Sequence, residues 1–60
     1  MLSRPLLTIQ ETAELVKIGE PTVRGWIRDD ELRAIKVGRE YRIAVKDLEA
    51  FLNARATLNP

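Results

Sequence analysis

The sequence predicts a small α+β domain, three short helices with a two-stranded β-hairpin inserted before the last of them. Three observations carry this. Apolar residues recur at helical spacing in Ile9, Ala13 and Val16, again in Val23, Trp26 and Ile27, and again in Val45, Leu48, Phe51 and Leu52. Between the last two sets, Ala34-Ile35-Lys36-Val37 and Tyr41-Arg42-Ile43 alternate around Gly38-Arg39-Glu40, which is hairpin patterning. Finally, the chain has 60 residues and neither cysteine nor histidine. A single core, burying only about 60% of the unfolded surface, must hold it without disulfides.

In chain order, Leu6 and Leu7 follow Pro5 and are expected to form an extended lead-in whose leucines tuck into the core. Thr8 and Glu11 have capping-box spacing, so a helix should begin at Ile9, with Leu15 at the margin of its apolar stripe. Lys17-Ile18-Gly19 breaks the pattern. A second helix then runs from about Glu20 to Asp29, with Gly19 as N-cap, Glu20 favourable to the dipole and Pro21 tolerated in the first turn. Asp30 is the candidate for a left-handed conformation after that helix. In the hairpin, a two-residue Gly38-Arg39 loop would pair Val37 with Glu40 and Ile35 with Arg42. A three-residue loop over 38–40 pairs Val37 with Tyr41 and Ile35 with Ile43, giving one clean apolar face against the helices and leaving Lys36 across from Arg42 outside. The three-residue loop is therefore expected, with Arg39 at the tip. A last helix is expected over about Val45–Arg55, Ala56–Pro60 should fray, and one domain spans 1–60 with an ordered core of about 6–55.

Composition excludes several classes of function. No unbroken apolar run exceeds three residues, as in Ile43-Ala44-Val45, far short of the roughly 20 that span a bilayer, and Met1–Pro5 has no signal-peptide core. A cytoplasmic, nucleoid-associated chain without a membrane partner is expected. Asp29-Asp30-Glu31 could suggest a metal or acid–base site, but consecutive carboxylates at a helix end diverge and no histidine or cysteine completes a site. Gly19, Gly25 and Gly38 are too scattered to cradle a phosphate. No enzyme, metal or cofactor is expected.

Net charge is +1, but its distribution is uneven: residues 17–46 hold eight basic and five acidic residues, against two and four elsewhere. Such asymmetry orients a small protein on a polyanion. On the second helix, Val23, Trp26 and Ile27 share one face, while Pro21, Arg24, Gly25 and Arg28 share the other. Apolar anchors behind and two arginines around a glycine in front suit insertion into a DNA groove; a core helix with a solvated face is the plainer alternative. Arg24 and Arg28 can bond guanine through both prongs, and Gly25 would let the helix sit close. Thr22 suits a phosphate oxygen or its own helix start. Arg39 suits a narrow, electronegative minor groove, and Lys36 and Arg42 either touch phosphates or stay solvated.

Helix, turn, helix, hairpin and helix in that order make a winged helix-turn-helix. The residues Thr8–Ala13, Val16–Val23, Trp26-Ile27, Leu32, Val37-Gly38-Arg39, Tyr41-Arg42-Ile43, Asp47-Leu48 and Phe51-Leu52 resemble the excisionase-type domains of the MerR-like superfamily. The resemblance covers roughly 7–52. It implies a double-stranded DNA-binding protein with its second helix in the major groove and its wing at the minor groove or backbone. Members serve as phage or mobile-element excisionases that recruit an integrase or recombinase, or as small transcription regulators, and several bind DNA as head-to-tail arrays. Gly19, where the family has a serine-like cap, and Asp30, where it has glycine, depart from the pattern. The rival expectation is a protein-interaction module using Glu11, Glu14, Asp47 and Glu49.

Overall fold

A computed structural model describes residues 6–56. The elements are β1 (Leu6–Leu7), α1 (Ile9–Val16), α2 (Glu20–Arg28), β2 (Ile35–Val37), β3 (Glu40–Ala44) and α3 (Val45–Arg55). The result is a small α+β fold of winged helix-turn-helix order. Pro5 and residues 57–60, including most of the segment expected to fray, lie outside the described residues.

The helix starts follow the local sequence closely. Thr8 Oγ1 accepts from the Glu11 amide at 2.9 Å, and the Thr8 amide donates to Glu11 Oε1 at 2.9 Å, which is the reciprocal capping box. Gly19 caps α2 without a side-chain bond, and Pro21 sits in its first turn. Two left-handed residues then turn the chain. Lys17, with φ 61°, closes α1 and starts the three-residue turn into α2. Asp30, with φ 60°, reverses the chain after α2, and the Glu31 and Leu32 amides both donate to the Trp26 carbonyl, at 2.8 and 3.1 Å.

That reversal places Leu32 at the centre of the core, with Ala13, Val23, Ile43, Leu48 and Phe51. Thr12 is fully buried among them, its hydroxyl donating to the Thr8 carbonyl at 2.9 Å. Trp26 and Ile27 pack half-buried against this cluster. The Trp26 and Phe51 rings lie 4.6 Å apart, and the Arg55 guanidinium stands 4.3 Å over Phe51 while pairing with Glu31. The end of α3 is thereby tied to the turn after α2.

The sheet and α3 correct several expectations. The sheet has three strands in the order β1-β3-β2 where a two-stranded hairpin was expected: the extended lead-in Leu6–Leu7 pairs with Ala44 and Ile43, and Leu7 packs against the core as expected. The hairpin loop has two residues, not three: Val37 pairs with Glu40, Lys36 with Tyr41 and Ile35 with Arg42. Gly38, with φ 64°, supplies the left-handed first loop position of a type II′-like turn, whose twist matches the strands. Turn chemistry therefore outweighs the clean apolar face, and a one-residue slip moves every β2 side chain to the opposite face. Ile35 and Val37 are consequently exposed, and Lys36 shares a face with Tyr41 and Ile43, opposite Arg42. Leu52, which shares the helical apolar spacing, is 40% exposed on α3, whereas Leu48 and Phe51 are buried.

Candidate nucleic-acid interface

The outward face of α2 is set by its inward one. With Val23 fully buried and Trp26 and Ile27 packed behind it, Pro21, Thr22, Arg24 and Arg28 are left in solvent. Arg24 and Arg28 are one turn apart on a helix of nine residues, about 13 Å long. The wing approaches this face from the β3 side. An open groove of about 350 Å³ is lined by Glu20 and Arg24 of α2, Gln10 of α1, and Arg39, Glu40 and Arg42 of the wing. A neighbouring concavity is lined by Arg24, Ile27, Arg28, Asp30 and Tyr41. Arg24 and Tyr41 line both concavities, Arg39 and Arg42 line the first with them, and Arg28 lines the second. Thr22, Gly25 and Lys36 line neither concavity. Thr22 and Lys36 are exposed, and Gly25 is half-buried on α2, where a Cβ would meet the Arg28 guanidinium at an ordinary 3.6 Å.

Three of these arginines carry a carboxylate of their own chain. Arg24 Nη2 lies 3.5 Å from Glu20 Oε1, Arg28 Nε 3.7 Å from Asp29 Oδ1, and Arg42 Nη1 2.8 Å from Glu40 Oε1. Arg42 is held further by its bond to the Tyr41 carbonyl at 3.1 Å. Arg39 and Lys36 have no ion pair among the described residues. Exposed pairs of this kind contribute only about 0–1 kcal/mol. A bidentate arginine–guanine contact contributes about 1–3 kcal/mol of discrimination, so a base edge can draw the guanidinium away. The pairs therefore preset the side chains without locking them.

A family model described as a helix-turn-helix domain matches residues 6–56. The chain belongs to the helix-turn-helix domain family. This helix-turn-helix domain is 37% identical over 49 residues to uncharacterized protein Rv2310 of Mycobacterium tuberculosis, covering 82% of this chain and 43% of that protein. It is 36% identical over 47 residues to a second protein of that organism, Putative DNA-binding protein Rv0500A, covering 78% of this chain and 60% of that one. The domain thus spans between about two fifths and three fifths of the length of the relatives it matches. No solved structure matches it.

Two features of the domain's surface are not evident from the helical wheel. Tyr41 lines both concavities, together with Arg24 in each and Arg28 in the second. The wheel could not place it because its position depends on the hairpin register. Glu20 and Glu40 sit among the arginines of the groove. For Glu20, the i, i+4 spacing to Arg24 was the available signal.

Proposed function

We propose that this domain binds double-stranded DNA sequence-specifically, with α2 in the major groove and the wing at the adjacent minor groove or backbone. The observation that carries this reading is the shared groove in which Arg24 of α2 meets Arg39 and Arg42 of the wing. In this reading Arg24 and Arg28 contact base edges, Gly25 permits close approach, and Thr22 bonds a phosphate. Arg39 enters the minor groove, while Lys36 and Arg42 contact the backbone. The helix-turn-helix family membership and the DNA-binding name of one relative support it. No catalytic step belongs to this role.

Within it, the resemblance to excisionase-type domains favours a recombination directionality factor that works beside an integrase or recombinase and assembles head-to-tail on repeated sites. The greater length of the relatives favours a second reading, a small MerR-like transcription regulator in which this domain is the DNA-reading part.

Selection of bound sequences from a random duplex pool, followed by titration at several salt concentrations, tests the proposal. A selected motif should emerge. About 4–6 phosphate contacts should give a log–log salt slope of about −4 to −5. No enriched motif, or binding indifferent to salt, would overturn the proposal in favour of a protein-interaction module.

A further inference from the structure

The α2–wing groove is not uniformly basic. Three guanidiniums, of Arg24, Arg39 and Arg42, share it with two carboxylates, of Glu20 and Glu40. Each carboxylate is paired with one of the arginines, Glu20 with Arg24 at 3.5 Å and Glu40 with Arg42 at 2.8 Å. Arg39 at the loop has no ion pair among the described residues. A surface built only to hold a polyanion would gain nothing from these two carboxylates. Each cancels one cation and repels an approaching phosphate.

We propose that Glu20 and Glu40 are specificity filters, an inference that rests on the DNA-binding reading above. Non-specific association depends on how many cations neutralise phosphates, and the two carboxylates withdraw Arg24 and Arg42 from that count. Arg39 alone in this groove is then available to any duplex. At a cognate site, a guanine edge of the duplex facing the α2 side of the groove engages both prongs of Arg24 and outcompetes the weak exposed pair. At the wing, a fitting groove shape does the same for Arg42. The carboxylates therefore weaken binding to random duplex more than binding to the selected site. Both side chains act through the arginines they hold and are positioning residues.

The test compares Glu20→Gln, Glu40→Gln and the double variant with the native chain, on the selected duplex and on random duplex, across a salt series. Glu49→Gln, an exposed α3 carboxylate outside the groove, changes net charge equally and is the control. Each groove variant should bind random duplex about two- to fivefold more tightly. Its random-duplex salt slope should steepen by about one. Affinity for the selected site should change less, so the ratio of specific to random affinity falls. Glu49→Gln should leave the ratio unchanged, and equal thermal midpoints should show that every variant folds. Equal gains on both duplexes, no gain on either, or a loss confined to one base pair would each overturn the filter. The last would mark a carboxylate that accepts directly from cytosine. If the native chain retained no duplex at all, the DNA-binding reading would fall with it. A native chain that binds, with variants that do not respond, would reject the filter alone.

Discussion

Leu32 follows three consecutive acidic residues and has no periodic apolar neighbour, yet it is only 1% exposed at the middle of the core. What buries it is backbone geometry: left-handed Asp30, and a Trp26 carbonyl that accepts two amides of the turn. Thr12 is a similar case, a polar residue made compatible with full burial by one bond to the carbonyl four residues before it. Neither burial follows from hydropathy spacing, whereas Val23, Ile43, Leu48 and Phe51 do follow from it. Leu32→Ala should lose about 2–5 kcal/mol. A domain of this size has total stability of only about 3–9 kcal/mol. Thermal unfolding followed by circular dichroism should show the midpoint falling by well over 10 °C, or no folded baseline at all. A shift of a few degrees would contradict the central position of Leu32.

The helices were legible because apolar periodicity agrees with end signals, the Thr8–Glu11 capping box of α1 and the dipole-favourable Asp47 and Arg55 at the two ends of α3. The wing was legible as a hairpin but not in register, because its two signals conflict. Alternation of Ile35, Val37, Tyr41 and Ile43 favours an odd loop, whereas Gly38 favours the two-residue turn. In a three-residue edge strand, little apolar burial is at stake, so the turn prevails. The left-handed Lys17 was unreadable for another reason, since lysine carries no preference for that conformation. The same residue yields a prediction. Glycine takes this φ without the Cβ strain, partly offset by its freer unfolded chain, so Lys17→Gly should stabilise the domain by about 0.5–1 kcal/mol. The expected rise in thermal midpoint is about 2–8 °C; a fall would show that the lysine side chain contributes more than its backbone strain.

At the scale of the molecule, the division of labour is simple. Apolar residues of every helix and of β3 converge on one core, and Glu20 and Arg24 of α2 are left sharing a groove with Arg39, Glu40 and Arg42 of the wing. The sorting of Arg24 and Arg28 to one face of α2 was legible from the helical wheel. That the wing cations lie on the same side as those of α2 was expected from the sequence. The structure brings Arg24 into one groove with Arg39 and Arg42, while Arg28 lines the second concavity with Arg24. That detail depends on how the turn after α2 and the pairing of β3 with β1 orient the wing. Among the described residues no helix is long and apolar enough to cross a membrane. The most direct test is the affinity of Arg24→Ala, Arg28→Ala and Arg39→Ala for selected and random duplex, with thermal midpoints equal to the native chain. Arg24→Ala and Arg28→Ala should each weaken the selected site by about 1–3 kcal/mol and random duplex much less, while Arg39→Ala weakens both by similar factors. Native affinity in all three variants, on both duplexes, would contradict the assignment of this face to DNA.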